Sequence, residues 1–465
     1  MSRSVIVVGG GISGLCTAYW LHRGGLEVTL LEQHPWAGGT VRTQRYRGWL
    51  VENGPNSALE TTPLLGEIFE QVGITEQRVY ADSTSDRRYI LRNGELHPLP
   101  MSPGSFLTTS LWSLRGKLRV AAEPFIGRGD HEESVAEFVE RRLGREFLDY
   151  AINPFVAGVY AGSPEELSVR EAFPKLSALE EKYGGLVRGM IGGARERRRR
   201  AEKAKDRAKM FSFVNGMQMF PRALARSLHS RCVLGARVTG VSAPPRSRRG
   251  ARRYTVTWTQ NGRSFARNVE AVILSVPAYA CTRLVRRFAP DLAAELEGIY
   301  YPPVGEVFLG YAAEQIGRKL DGFGFLVPER EERKILGTIW SSTIFPARAP
   351  QGHVALTTFV GGSRQPEVLA ADDRALVAIV AEELRHLMSI SGRPVFVKVN
   401  RWAQAIPQYR VGYRTVTEAI QRTEQEHRGL YFCSNYRGGI AVGDCVMNAR
   451  NTADTVLDML GRSAL

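Results

Sequence analysis

The residues of this chain best spaced for chemistry are the glycines of VIVVGGGISG, residues 5–14, and the acid that follows at Glu32. Gly9 permits a tight turn from strand to helix, Gly11 lets backbone approach a pyrophosphate, and Gly14 lets the helix pack close to its strand. The free N–H groups and positive end of a helix starting there face phosphate oxygens. Glu32 closes a second β-branched run, LEVTLL, about 20 residues on, where a carboxylate takes both hydroxyls of an adenosine ribose. It argues against a 2′-phosphate. The alternative, an ordinary glycine turn in an N-terminal α/β unit, must produce strand, spacing and acid together by accident. No Ser/His/Asp or Cys/His arrangement stands out, and the eight histidines show no ligand spacing. No side chain is therefore assigned as a general base, and no metal is expected.

The elements that must position these residues follow from the patterning. A helix is expected over 13–24, followed by a strand over 26–31 and glycine-turn loops AGGTVRT (37–43) and ENGPNS (52–57). Residues 80–209 are richer in helical patterning and form an insertion. A helix over part of 213–228, strands near 233–241, 254–259 and 271–278, and several alternating strands over 303–399 come next, the last with a helix at 372–387. That last group reads as a mostly antiparallel sheet forming a wall, a common support for a large apolar ligand. The chain closes on strand, glycine loop and helix over 429–460. A nicotinamide enzyme needs no such return. A reduced flavin carries negative charge at its pyrimidine edge, which a helix starting near Gly443 and Asp444 stabilises, so FAD outranks NAD.

At 465 residues two or three domains are expected, and 43% hydrophobic with 23% charged residues is an ordinary globular composition. Five cysteines without paired spacing suit a reducing compartment. The first strand begins almost at once, leaving no room for a signal peptide, so a cytoplasmic location is expected. No run of about 18 apolar residues occurs, which excludes a spanning helix but not surface association. The net charge of +15 is uneven, and residues 186–209 alone carry +7. Such a run reads as a solvated helix face or loop, as a lipid contact, or as a nucleic-acid contact, although it lacks the interleaved aromatics of a single-strand binder. Residues 105–127, apolar with Trp112 and Phe125 and punctuated by Arg115, Lys117 and Arg119, suit either an amphipathic helix in a membrane interface or a helix packed on the protein's own core. The basic loop 243–253 reads as an exposed hairpin.

Taken together, GGGISGL, AGGTVRT, ENGPNS and above all INPFVAGVYAGSPEELSVREAFPKL (152–176) resemble the FAD-dependent protoporphyrinogen oxidase family, within the wider amine oxidase and phytoene desaturase group. LDGFGFLVPE, ILGTIWSSTIFPARAP, TTFVGGSRQP and RWAQAIPQY reinforce the likeness, which covers essentially the whole chain. It implies an α/β fold: a Rossmann-like FAD-binding domain from segments 1–80, 210–285 and 400–465, and a substrate domain with a mostly antiparallel sheet from 81–95, 180–209 and 286–399. Residues 96–179 would be a helical, membrane-associating insertion. It implies FAD contacts at Gly9, Gly10, Gly11, Ile12, Ser13, Gly14, Glu32, Gln33, Gly38, Gly39, Arg42, Gly54, Pro55, Asn56, Ser57, Val238, Trp402, Val442, Gly443 and Asp444. Arg88 matches an arginine that pairs with a propionate, Leu326, Ile339 and Phe359 match positions flanking the tetrapyrrole, and Ala157 and Gly158 lie where backbone passes close to substrate and flavin. Trp36 departs from the pattern, because many relatives have a basic residue there, leaving Arg42 as the cation near the pyrophosphate.

The reaction so implied removes six electrons from a reduced porphyrinogen in three rounds, with O2 as acceptor and hydrogen peroxide as product. Coproporphyrinogen, with two more propionates, is the alternative substrate. Remoter alternatives are an amine oxidase, a carotenoid desaturase, or a basic membrane-binding protein with an inert nucleotide fold. The partners implied are the tetrapyrrole, O2 and the inner face of the cell membrane, with no nucleic acid, in a monomer or homodimer.

Overall fold

The computed structural model of the protein describes residues 3–82, 86–189, 192, 208–243 and 253–461. The fold is mixed α/β. One sheet is wholly parallel, in the order Cys232–Leu234, Glu27–Glu32, Ser4–Val8, Ala271–Leu274, Leu430–Phe432. Val5, Ile6, Val7 and Val8 are all buried, as a strand covered on both faces requires. The helix Ile12–Arg23 leaves the first strand within one residue of its expected start, and the C-terminal helix Val442–Met459 packs beside it. Gly24 makes that approach possible: a Cβ there would lie 2.4 Å from Leu457 Cδ2. Two glycine-loop-to-helix units from opposite ends of the chain thus become neighbours.

The expected single strand over 233–241 is two strands, Cys232–Leu234 and Arg237–Ser242. Gly235 takes a φ of 69° between them, while its N–H donates to His34 O (3.0 Å) and that of Ala236 to Glu32 O (2.8 Å). This turn moves the chain out of the parallel sheet into an antiparallel one with Tyr254–Gln260 and Arg263–Val269.

A second sheet has seven strands in the order Phe396–Trp402, Val304–Ala312, His353–Gly361, Gly337–Ile339, Gly324–Leu326, Arg88–Arg92, Glu95–Pro98. Neighbours are antiparallel except where Gly324–Leu326 runs parallel to Arg88–Arg92. Alternation sorts its residues by face. Tyr89, Phe325, Val307, Leu309 and Val360 pack under the helix Asp373–Met388 through Leu376, Val380 and Leu384. The opposite face is covered at both ends, Ile90 packing with Leu111, Trp112 and Tyr150 and Phe308 with Trp49 and Val51, and Leu326, Ile339 and Phe359 are half-buried between them.

The part expected to be helical contains Pro103–Thr108, Leu114–Ala121, Val135–Leu143, Asn153–Tyr160 and Pro174–Tyr183, with a π turn at Leu148–Ile152. Residues 105–127 are not one helix. Ser113 accepts from Gly116 N (3.1 Å) and caps a new start, because Leu111 and Trp112 are drawn inward, Trp112 stacking on Phe147 at 5.2 Å. Leu107, Leu114, Leu118 and Phe125 remain exposed. Among the described residues no helix is long and apolar enough to cross a membrane. Most of the basic run 195–209 and of the loop 243–253 lies outside the described residues.

The helical part is pinned by charge as well as by apolar packing. Arg142, fully buried, donates to Glu123 Oε1 (3.0 Å) and Glu180 Oε1 (2.7 Å), and Glu123 also accepts from the N–H groups of Leu186 (2.7 Å) and Val187 (3.0 Å). Removing one partner of such a cluster leaves uncompensated buried charge. Arg142→Ala is expected to lower the unfolding free energy by about 3–5 kcal/mol, read from denaturant titration, with Arg142→Lys losing less.

Candidate functional site

Three loops converge on the end of the first strand. Gly9 sits at φ 107°, and a Cβ there would lie 2.4 Å from Ser275 O; one on Gly14 would lie 2.0 Å from Gly9 O. Both glycines are demanded by packing. Gly11 is different: its backbone is extended (φ −70°), and a Cβ would meet nothing within 4 Å. It opens onto free space at the start of the helix, beside Ile12 and Ser13, where the sequence leads one to expect a pyrophosphate. Glu32 is buried below this turn, with Oε2 accepting from Gly10 N (2.7 Å) and Oε1 from His34 N (2.8 Å), and Gln33 follows it at the surface. Val238 is the second residue of the strand Arg237–Ser242, which follows Ala236, whose N–H donates to Glu32 O.

The second loop approaches from the other side. Gly38 N donates to Gly10 O (2.8 Å), and a Cβ on Gly39 would come within 3.2 Å of Gly11 Cα. Trp36, where the resemblance anticipates a basic residue, is an aromatic shelf: it stacks on His34 at 4.9 Å, and the Arg42 guanidinium lies 4.3 Å from its centroid. The cation is thereby held by a ring face. The third loop, Gly54, Pro55, Asn56 and Ser57, is half-buried, and a Cβ on Gly54 would strike Thr40 O at 2.1 Å.

The C-terminal helix completes the cradle. Ala441, the residue before Val442, makes no side-chain cap hydrogen bond at the start of this helix. Gly443 lies against Thr61, whose Oγ1 would be 2.2 Å from a Cβ, and Asp444 lies beside Gly439. Thr61 Oγ1 and Asn53 Oδ1 are buried and have no hydrogen-bond partner among the described residues.

The wall presents the remaining residues. By register, Arg88 lies opposite Gly324, Gly324 opposite Ile339, Leu326 opposite Gly337, Gly337 opposite Phe359, Phe359 opposite Glu306, and Glu306 opposite Asn400. Trp402, two residues beyond Asn400, shares this face. Arg88, Leu326, Ile339, Phe359 and Trp402 therefore lie on one side of one sheet, although they come from five different strands. Arg88 is exposed beside the Phe323 ring (5.7 Å), and makes no ion pair among the described residues; neighbouring Arg87 takes Asp321 instead. The helix Asn153–Tyr160 closes over the middle. A Cβ on Gly158 would lie 2.6 Å from Leu326 Cδ2, and Ala157 packs with Val304 and Phe359. A crevice between loop and wall is lined by Asn56, Ser57, Phe323 and Ile339, joining residues expected for cofactor with residues expected for substrate.

Loop and wall are tied by one carbonyl. Asn53 O accepts from Trp402 Nε1 (3.1 Å) and Asn400 Nδ2 (3.3 Å), and the same Nδ2 also reaches Glu306 Oε2 (3.3 Å). Two carboxylates are buried at this seam. Burial pushes Glu52 up to about 7 despite Arg348, whose guanidinium is 3.9 Å away, and despite donors from Thr43 (2.5 Å) and Met217 N (2.9 Å). Glu306 is pushed to about 8 by burial and by the charge of Glu52. Sequence reasoning missed Glu306; its signal was an acid inside GEVFLGY, a strand otherwise free of charge.

Comparison with known proteins agrees with this geometry. The family described as flavin containing amine oxidoreductase matches residues 12–457. The chain is 33% identical over 482 positions to protoporphyrinogen oxidase 2, chloroplastic/mitochondrial, of Arabidopsis thaliana, covering 98% of this chain and 94% of that one. It is 25% identical to coproporphyrinogen III oxidase of Bacillus subtilis (strain 168), covering 98% of each. A solved structure from Exiguobacterium sp. 255-15 superposes with a TM-score of 0.79 at 24% identity, over 99% of this chain and 100% of that one, and shares the fold. A flavin held in a dinucleotide cradle carries adenosine, so the cofactor is FAD.

Gly11 separates cofactor binding from folding. At Gly11 an added Cβ meets no protein atom and the backbone angle is one that any residue adopts, so Gly11→Val adds bulk to the space expected for the pyrophosphate. Purified Gly11→Val is expected to be folded by circular dichroism and colourless. A yellow, fully loaded variant contradicts the assignment.

Proposed function

The chain belongs to the flavin containing amine oxidoreductase family, and on that premise we propose that it oxidises protoporphyrinogen IX to protoporphyrin IX in haem biosynthesis. The observation that carries this reading is the wall's ligand face. It has at Arg88 a cation with no ion pair among the described residues, an apolar stretch at Leu326, Ile339 and Phe359, and a seam to the cofactor loop at Asn400 and Trp402. A flat, apolar macrocycle with acidic arms fits this order. The identities support it, since the Arabidopsis thaliana protoporphyrinogen oxidase is 33% identical to this chain and the Bacillus subtilis coproporphyrinogen III oxidase 25%. The apolar middle of the face also favours a substrate with vinyls in place of two further propionates; coproporphyrinogen III is the second reading.

FAD, when bound, would supply the two-electron oxidant for the methylene bridge. Gly9 to Gly14 and Gly38, Gly39 and Arg42 hold its pyrophosphate, Glu32 its ribose, Val238 its adenine, and Gly54 to Ser57, Trp402 and Val442 to Asp444 its flavin end. Arg88 anchors a propionate, so that Gly158 and Ala157 press the macrocycle against Leu326 and Phe359. Burial between helix and wall excludes water and fixes orientation, which is the chief demand of the step on the protein. O2 is the acceptor. Residues 1–80, 210–285 and 400–465 serve the cofactor, 81–95, 180–209 and 286–399 the substrate, and 96–179 the membrane surface, on the cytoplasmic side.

The exposed side chains of Leu107, Leu114, Leu118 and Phe125, beside exposed Arg115, support the membrane contact. Lys117 and Arg119 contribute less, because they donate to backbone carbonyls of Leu107, Thr109 and Arg142. Binding to vesicles containing anionic lipid, read by co-sedimentation, is expected to fall in Leu114→Asp/Leu118→Asp while activity on detergent-dispersed substrate is kept.

Arg88→Ala is expected to raise KM for the porphyrinogen by about tenfold or more, the value of one charge-assisted contact, with FAD content intact. Unchanged steady-state kinetics sink the anchor, and oxidation of neither porphyrinogen by the wild-type protein sinks the function.

A further inference from the structure

We infer that Glu306 is the group that takes the pyrrole N–H proton as each methylene bridge is oxidised; this rests on the porphyrinogen reading above. Loss of hydride from the bridge leaves an electron-poor centre conjugated to the adjacent pyrrole nitrogen. The N–H bond then breaks, its electron pair entering the new C=N conjugation, and the proton forms an O–H bond on a carboxylate. The protein must place such an acceptor beside the macrocycle on the side nearest the cofactor loop.

Glu306 meets that demand by position. It lies on the ligand face, directly opposite Phe359 on one neighbouring strand and Asn400 on the other. Arg88 is four strands away, roughly 19 Å at the usual strand spacing of about 4.8 Å. A macrocycle anchored through a propionate at Arg88 thus extends across Leu326 and Phe359 toward Glu306. One carboxylate oxygen receives the Asn400 amide, which also holds the Asn53 carbonyl of the cofactor loop, and the other accepts no hydrogen bond among the described residues. Only 6% of Glu306 is exposed.

The surroundings make it a strong base that is still able to ionise. Facing it are Glu52, with Arg348 behind, from the cofactor side, and Lys398 on the same face of the neighbouring strand. Arg401 points to the opposite face and pairs with Asp373. Glu52 has Arg348 and two donors, Thr43 Oγ1 and Met217 N, around it, whereas Glu306 has the single amide, so Glu306 is the member that holds a proton. The ionised form accepts, so turnover rises with pH through the Glu306 value of about 8.

The test compares wild-type holoenzyme with Glu306→Gln, Glu306→Asp and Asn400→Ala, using protoporphyrinogen IX as probe, with flavin content, kcat, KM and pH profile measured for each. Glu306→Gln is expected to keep its FAD and KM, to lose about 100-fold or more in kcat, and to lose the rising limb near pH 8. Glu306→Asp recovers part of the rate together with a limb. Asn400→Ala removes the donor that favours the ionised form, moving the limb to higher pH, and this carries the test if Glu306→Gln does not fold. Infrared titration of the holoprotein without substrate shows a carboxyl band that disappears near the same pH and is absent from Glu306→Gln. A Glu306→Gln enzyme within about threefold of wild-type kcat, or slow but with the limb unmoved, overturns the assignment and leaves the porphyrinogen reading standing. A wild-type enzyme that oxidises no porphyrinogen overturns both.

Discussion

Everything that this molecule is built to do passes through the carbonyl of Asn53, which accepts one hydrogen bond from Asn400 and another from Trp402. On one side of it the chain continues into the loop Gly54 to Ser57; on the other stand the last residues of the wall. The parallel sheet that supports the glycine turn and the seven-stranded sheet that supports the ligand face are separate hydrogen-bonded units. Hydride transfer tolerates little misplacement between donor and acceptor. A carbonyl with two lone pairs, bonded to alternate residues on one face of one strand, fixes the loop to the wall with two bonds of 3.1 and 3.3 Å and no flexible side chain from the loop.

The same seam explains why charge is buried there. Glu52, Glu306 and Arg348 lie within the junction, each nearly removed from water. Glu52 organises the turn at Met217 and Thr43, and Arg348 in turn holds Ser212 (2.6 Å), so that the strand Met210–Phe213 is fixed to the cofactor side. Burying charge carries a desolvation cost that apolar residues of equal volume would avoid. What the ions add is direction: they impose one register between two sheets whose apolar surfaces alone would allow several.

Much of this was legible from local pattern. The glycine turn, Glu32 and the closing helix follow from spacing, because a strand-to-helix turn over phosphate constrains consecutive residues. The wall followed from alternation. What escaped was set by partners distant in sequence. Asn53 and Asn400 are 347 positions apart, and nothing near either residue marks the other. Residues 233–241 read as one strand because β-branched residues continue through them, while the split is imposed by bonds from the Gly235 and Ala236 amides to the second strand. Residues 105–127 read as one helix because their apolar residues repeat at helical spacing, yet Trp112 is drawn to Phe147 and breaks the run. Arg42 was named as a cation, but the Trp36 ring that holds it was read only as a missing base. Glu306 is an acid in an apolar strand, visible as an oddity and interpretable only once its face was known.

The central claim is that one electron pair at a time leaves a tetrapyrrole lying on the wall for a flavin lying in the glycine cradle. Anaerobic rapid mixing of holoenzyme with protoporphyrinogen IX tests it most directly, following flavin absorbance and porphyrin fluorescence together. The account predicts that oxidised-flavin absorbance bleaches on mixing and that porphyrin appears at one equivalent per three flavins reduced. Flavin absorbance that stays unchanged, or porphyrin forming without its loss, would contradict it.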